Sequence, residues 1–170
     1  MKITLNIKLG IIAGLINCII WYVAAGSLNY YSFDVDRYSY YATLILLLIG
    51  IFTSVFFARR TNDNFIDFKS AVKCGIIYTL VVALILGIFN YFYYSVIAPD
   101  AIDFFLSEAK KTMIEQKLSE TDITKNLEIV RSYFGSFRMF MSTVIMGVLL
   151  SLLAGAMFRR KNTDPTFSAN

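Results

Sequence analysis

The sequence contains no histidine and only two cysteines among its 170 residues. The absence of histidine removes the commonest general base and the commonest metal ligand. Cys18 and Cys74 lie within or at the edge of apolar runs, a placement that does not indicate a disulfide framework. The chain also lacks a P-loop, a Gly-x-Gly-x-x-Gly fingerprint and a nucleophile elbow. We therefore predict no catalytic residue, no metal site and no cofactor.

Charge is scarce as well. Charged residues make up 16% of the chain and hydrophobic residues 57%, with a mean hydropathy of +0.61. A soluble domain carries about 25% charge, so this chain has too little polar surface to face water on all sides, and a lipid bilayer is the expected partner. The net charge of +4 comes from short basic clusters beside apolar runs, which indicates membrane topology rather than nucleic-acid binding.

Four apolar runs predict four transmembrane helices, at about residues 9–28, 41–58, 72–97 and 140–158. A run of about 20 residues spans roughly 30 Å as a helix, the thickness of the hydrocarbon core. The first run exceeds the roughly 7–15 residues of a signal-peptide core, so we expect an uncleaved helix. The fold class is all-α and polytopic. We expect residues 1–170 to form a single membrane domain with a disordered tail at 162–170.

The basic clusters predict the orientation of these helices. Arg59 and Arg60 directly follow the second run, and Arg159, Arg160 and Lys161 directly follow the fourth. Acidic residues instead concentrate between the third and fourth runs. Because lysine and arginine accumulate on the cytoplasmic side, we predict that both termini are cytoplasmic.

The segment at about 100–138 is the only sizeable polar stretch, and it has helical periodicity. Apolar residues recur at helical spacing in two sets: Ile102, Leu106, Ala109 and Met113, then Ile123, Leu127, Val130, Phe134 and Phe137. Asp100 and Ser119 stand at expected N-cap positions. We predict an extracytoplasmic amphipathic two-helix segment whose second helix continues into span four. Its apolar stripe covers the bundle or rests on lipid; docking of a protein partner is the alternative.

Four polar residues lie at similar depths when they are counted from the cytoplasmic ends of the predicted spans. These are Asn17, Tyr78, Thr79 and Ser151. Asn90 lies roughly 15 Å further out on this count and is not expected to pair with Asn17. Interhelical hydrogen bonding is the favoured interpretation of such a layer, and a substrate site is the alternative.

Small residues at four-residue spacing mark two spans. Gly10 and Gly14 lie in span one, and Gly147, Ser151 and Gly155 lie in span four. Such stripes allow helices to approach closely in lipid. We predict that spans one and four touch through them, or alternatively that one stripe forms a homodimer interface.

Two short motifs carry a family resemblance. The entry to span three, Asp67 to Gly75 with its Phe-x-x-Ala-x-x-x-Gly pattern, and its exit, Ile97 to Asp100, resemble the bacterial membrane family called domain of unknown function 4199. The helix order and the arginine-rich end are similar too. The resemblance implies four spans and a bacterial inner membrane, and it implies no activity and no functional residues.

Three functional hypotheses follow. The leading one is a non-enzymatic accessory or scaffold protein that contacts a partner through the outer helical segment. The second is a small-molecule transporter or channel, acting as an oligomer, that uses Asn17, Thr79 and Ser151. The third is a membrane enzyme, which would require outer carboxylates such as Asp100, Asp103 and Glu108 to converge on one cleft.

Overall fold

The computed structural model describes residues 3–27 and 33–159, and every regular element in this part of the chain is helical. The helices are α1 (Ile3–Ser27), α2 (Phe33–Arg60), α3 (Phe68–Phe92), α4 (Ala101–Glu115), α5 (Glu120–Tyr133) and α6 (Ser136–Phe158). A π-helical turn, Tyr93–Ile97, extends α3. The predicted tail at 162–170 lies outside the described residues.

Four of these helices are long and apolar enough to cross a membrane. The candidate spans are Thr4–Val23, Tyr40–Arg60, Phe68–Ile97 and Ser136–Phe158. Large apolar side chains such as Ile19, Leu84 and Ile145 are more than half exposed on the outside of the bundle, where lipid covers them. The prediction of an all-α fold with four membrane-spanning helices is confirmed, and the chain is a multi-pass membrane protein.

The four spanning helices pack in the order α1, α2, α6, α3 around the bundle. Each helix contacts its two neighbours in this order, and α2 and α3 also contact each other across the centre. α1 and α6 are therefore diagonally opposite, and the two most extensive interfaces in the bundle are those of α3 with α6 and with α1. One end of the bundle carries Arg59, Lys69, Lys73 and Arg159 and is called the basic end. The opposite end carries α4 and α5, which together form a helical hairpin, and is called the hairpin end.

This arrangement overturns the predicted contact between spans one and four. Gly10 of α1 packs against Val81 of α3, and Gly14 packs against Ile85. α3 therefore covers the α1 stripe, which leaves these two glycines no homodimer role in the described fold.

The stripe on span four is also covered by α3. Gly147 packs against Thr79, Ser151 packs against Gly75, and Gly155 packs against Val72. Small residues allow close approach on both stripes, as expected, but the partner is α3 in each case. The sequence pattern marks which faces are packed and does not say which helix packs on them.

Helices α4 and α5 form the predicted two-helix segment and pack against each other. The Ser119 side chain accepts a hydrogen bond from the Asp122 backbone N–H, as an N-cap does, whereas Asp100 occupies the N-cap position of α4 without a side-chain capping bond. The predicted continuation of the second helix into span four is wrong. Phe134 and Gly135 separate α5 from α6, and α6 begins at Ser136.

Candidate ligand-binding cavity

Asn17, the first residue of the predicted polar layer, pairs with α2. Asn17 Nδ2 donates to Thr43 Oγ1 over 2.9 Å, and the Thr43 hydroxyl lies 3.2 Å from Asn17 Oδ1. Asn17 is 1% exposed, so the pair satisfies two polar side chains inside the bundle. This bond is the interhelical kind that the sequence led us to expect, with a partner that the sequence did not identify.

The other three members of the layer lie elsewhere. The Tyr78 hydroxyl donates to the Leu46 carbonyl at 3.1 Å, and Ser151 Oγ donates to the Gly147 carbonyl of its own helix at 2.6 Å. Thr79 packs against Gly147, and its Oγ1 is buried without a hydrogen-bond partner among the described residues. The four side chains therefore do not converge on one site.

The depth count behind the predicted layer is wrong for α1. The count placed the predicted starts of spans one and three, residues 9 and 72, at the same depth. Because Gly10 faces Val81 and Gly14 faces Ile85, α1 instead lies about two helical turns further toward the hairpin end along α3. The apolar window of α1 begins at Thr4 and includes Lys8, whose long side chain is exposed and can extend toward the headgroups. The charge of Lys8 had set the predicted start too late.

The shift brings Asn17 to the level of Asn90. Both residues line a void of about 10 Å³, together with Trp21, Thr43 and Met139. A void of this size is at the lower limit for one water molecule. The predicted separation of Asn17 from Asn90 by 15 Å is therefore wrong, and the two side chains belong to one region of the bundle.

Sequence reasoning also missed two further polar pairs. Ser54 Oγ of α2 donates to Asn6 Oδ1 of α1 at 2.7 Å near the basic end, and Ser136 Oγ of α6 donates to Asn90 Oδ1 of α3 at 3.1 Å near the hairpin end. Asn6 was overlooked because it precedes Lys8 and so fell outside the predicted span. Ser136 was overlooked because α6 begins four residues before the predicted start of span four.

A cavity of about 660 Å³ lies at the hairpin end of the bundle. It adjoins the Asn17–Thr43 pair on the hairpin side. The evidence is that the cavity and the small void share four lining residues: Trp21, Thr43, Asn90 and Met139. The described lining residues come from every helix except α4: Trp21, Tyr40, Thr43, Asn90, Tyr94, Val130, Tyr133, Phe134, Arg138, Met139 and Ser142. A volume of about 300–1,000 Å³ with mostly apolar walls and a few polar groups is typical of a ligand site.

Aromatic packing shapes one wall of this cavity. The Trp21 ring meets Phe89, Tyr93 and Tyr94 edge-on, with centroid distances of 5.8, 4.2 and 6.1 Å. Tyr93 and Tyr94 are consecutive residues in the π-helical turn, and the rings of both contact Trp21. Tyr94 in turn packs edge-on against Phe134 at 5.3 Å, so the wall continues from α1 through the π-helical turn to the break between α5 and α6.

One positive charge stands on this lining. Arg138 Nη1 donates to Ser132 Oγ at 2.9 Å, and its guanidinium lies 3.4 Å from the centre of the Tyr133 ring. These two contacts hold an exposed cation in a fixed position, because a guanidinium stacks well on an aromatic face. No aspartate or glutamate belongs to the described lining. The cavity therefore combines aromatic walls with hydroxyls, one amide and one cation.

The family comparison confirms the resemblance found in the sequence. A family described as "Protein of unknown function (DUF4199)" matches residues 8–160. The chain belongs to this family. No curated protein and no solved structure matches the chain. Membership in this family implies no activity, so the function of this DUF4199 protein must be inferred from its own geometry.

The carboxylates of the enzyme hypothesis lie away from the cavity. Asp100 and Asp103 are exposed at the start of α4. Glu108 Oε1 forms an ion pair with Lys111 Nζ on the same helix at 2.6 Å. Within the described residues, no group of three or more acidic or cysteine side chains could hold a metal ion. None of the three carboxylates belongs to the described lining of the cavity, so the cavity gives the enzyme hypothesis no support.

Proposed function

We propose that this protein is a non-enzymatic membrane protein that binds a small amphiphilic molecule in the cavity at the hairpin end. The observation that carries the proposal is the cavity itself, which has about 660 Å³ of space between aromatic walls. An aromatic lining favours the apolar part of a ligand, and Asn90, Ser142 and Arg138 offer hydrogen bonds to its polar part. This role is compatible with the accessory-protein hypothesis.

Dense packing beneath the cavity supports binding over conduction. Below the Asn17–Thr43 pair, the bundle is filled by Ile51, Val55 and Ala71, each 0% exposed. A channel or transporter would require this packed half to open. The second candidate, a transporter, is favoured by one observation: a polar pair, rather than apolar residues alone, lies at the cavity floor.

Trp21 provides a direct test, because it is the only tryptophan in the chain and lies in the cavity wall. The purified protein would be placed in nanodiscs of phosphatidylcholine and titrated with the methyl ester of a fatty acid brominated at mid-chain. Bromine quenches tryptophan on contact. We expect saturable quenching of Trp21.

Matched variants separate cavity binding from contact with bulk lipid. Ser142→Phe fills the cavity, whereas Ser107→Phe makes the same change at an exposed position on α4, the helix that contributes no residue to the described lining. We expect saturable quenching to be lost in the first variant and kept in the second. Equal, non-saturating quenching in both variants would refute the proposal.

We further propose a bacterial inner-membrane location with the basic end in the cytoplasm. The supporting observation is that Arg59, Lys69, Lys73 and Arg159 share one end of the bundle, as the positive-inside tendency requires. Single cysteines at Asp63 and at Gln116, in a background without Cys18 and Cys74, test the topology. An impermeant thiol reagent added to intact cells should label position 116 and not position 63; the opposite pattern would overturn the topology.

The hairpin as a surface for a protein partner remains a proposal. It is supported by the exposed side chains of Phe104, Ile114 and Ile129 on α4 and α5. Purification from native membrane would test it through a stoichiometric protein that is lost when Phe104 and Ile114 are replaced by serine. A protein that is released by neither substitution would contradict it. The same preparation would report a homo-oligomer by its mass.

A further inference from the structure

Arg138 is placed where a helix disfavours a cation. It is the third residue of α6, and the first turn of α6 carries no acidic residue. The N-terminus of a helix bears a partial positive charge, so a carboxylate is favoured there and a cation is not. The start of α6 therefore combines two positive contributions without a negative side chain of its own.

No ion pair within the described residues offsets this charge. The salt bridge between Glu108 and Lys111 is the only one in that part of the chain. The contacts of Arg138 are with the Ser132 hydroxyl and the Tyr133 ring. A guanidinium has five N–H donors, and the bond to Ser132 uses one of them. The remaining donors can bind a further acceptor at the edge of the cavity.

Asn90 also offers donors. Its Oδ1 accepts the hydrogen bond from the Ser136 hydroxyl, which leaves the two N–H groups of Nδ2. Asn90 and Arg138 line the same cavity. A ligand group that satisfies both must accept several hydrogen bonds, and an anionic group binds a guanidinium more strongly than a neutral one.

We propose that the molecule bound in the cavity is an anionic amphiphile. Its carboxylate or phosphate binds Arg138, and its apolar chain lies against Trp21 and Met139. This inference rests on the proposed binding function and specifies the ligand class. The anion belongs either to a single-chain acid or to the headgroup of an anionic phospholipid.

The experiment extends the Trp21 quenching assay. A brominated fatty acid is compared with its methyl ester at alkaline pH, where the carboxylate is ionised. Arg138→Gln removes the cation, and Arg131→Gln is the matched control, because Arg131 is exposed and absent from the described lining. We expect Arg138→Gln to weaken binding of the acid about tenfold or more. The ester should bind Arg138→Gln and Arg131→Gln equally well. Arg131→Gln should bind the acid as tightly as the unaltered protein does.

Two failures are distinguishable. If neither the acid nor the ester quenches Trp21 saturably, the proposed binding function fails. If both bind equally and Arg138→Gln has no effect on either, the cavity binds amphiphiles but the anionic assignment is wrong.

A second arm identifies the source of the anion. Nanodiscs are prepared with brominated phosphatidylglycerol or with brominated phosphatidylcholine. Quenching by phosphatidylglycerol that depends on Arg138 would support a phospholipid headgroup. Quenching by the brominated fatty acid but not by brominated phosphatidylglycerol, again dependent on Arg138, would support a single-chain acid. Absence of Arg138 dependence in both arms would overturn the proposal.

Discussion

The basic half and the hairpin half of the bundle are packed differently. At the basic end, small residues allow α3 and α6 to approach closely: Ser151 fills the space beside Gly75, and Thr79 fills the space beside Gly147. At the hairpin end, Trp21, Tyr93 and Tyr94 meet edge-on, and a cavity remains between the rings and α6. Small residues allow a close-packed interface between α3 and α6, whereas the aromatic rings at the hairpin end border a cavity with room for a ligand.

The largest predicted effect is a loss of stability caused by overpacking in the basic half. Gly147→Ala would place a methyl group on the Thr79 side chain, and such overpacking costs about 1–3 kcal/mol. Gly87→Ala is the matched control from the hairpin half, because its added Cβ would lie 3.5 Å from Phe140 Cβ, an ordinary contact. We expect the denaturation midpoint in detergent to fall for Gly147→Ala and to change little for Gly87→Ala. Equal shifts would contradict the contrast between the halves.

A double-mutant cycle measures the coupling between the two polar side chains at the boundary between the halves. Asn17→Leu and Thr43→Val remove the pair at the cavity floor. Hydrogen bonds between membrane helices couple by about 0.6 kcal/mol on average and by about 1.7 at most. We expect a coupling free energy of unfolding in this range. Ser151→Ala serves as the control, because Ser151 bonds within its own helix. Coupling of Asn17 to Ser151 as strong as to Thr43 would restore the single polar layer.

The hairpin offers a smaller, local test. Ser119→Ala removes a capping hydrogen bond to the Asp122 N–H, which costs about 1 kcal/mol. We expect faster hydrogen exchange of the first amides of α5. Asp100→Ala removes no side-chain capping bond and should leave exchange at the start of α4 nearly unchanged. Faster exchange in both helices would show that sequence position, rather than the observed bond, decides the cap.

The smallest effect concerns pH at the basic end. Hydrogen bonds from the Ser70 hydroxyl and the Ser70 backbone N–H lower the pKa of Asp67 below its ordinary 3.8. Because the folded state favours the charged carboxylate, the stabilisation is present above the ordinary value and is lost as pH falls through the folded-state pKa. Asp67 is exposed, so the effect should be small. Melting in detergent should show a slight loss of stability in strong acid that Asp67→Asn removes.

Much of the fold could be predicted because lipid imposes simple rules. The apolar runs gave four spans, since backbone polar groups in a bilayer must be satisfied within helices. Ser119 could be recognised as a cap from local sequence alone. Helix neighbours could not be predicted, because Gly10 and Gly147 mark a packed face without naming the helix that covers it.

The candidate site was not predictable from the sequence for a related reason. The cavity depends on the π-helical turn at Tyr93–Ile97, on the break at Phe134 and Gly135, and on the shift of α1 along α3. Each of these results from packing between segments distant in sequence. Trp21 and Arg138 were the available signals, as the single tryptophan and the last charge before the predicted start of span four at residue 140, but nothing local placed them in one cavity.

Native mass spectrometry of the protein, purified from its own membrane in mild detergent, tests most directly whether the hairpin-end cavity binds a ligand. We expect one small amphiphile bound per chain, retained by Ser107→Phe and lost from Ser142→Phe. A chain that carries no such molecule, or a molecule that remains bound equally well to Ser142→Phe, would contradict the assignment of the hairpin-end cavity as the binding site.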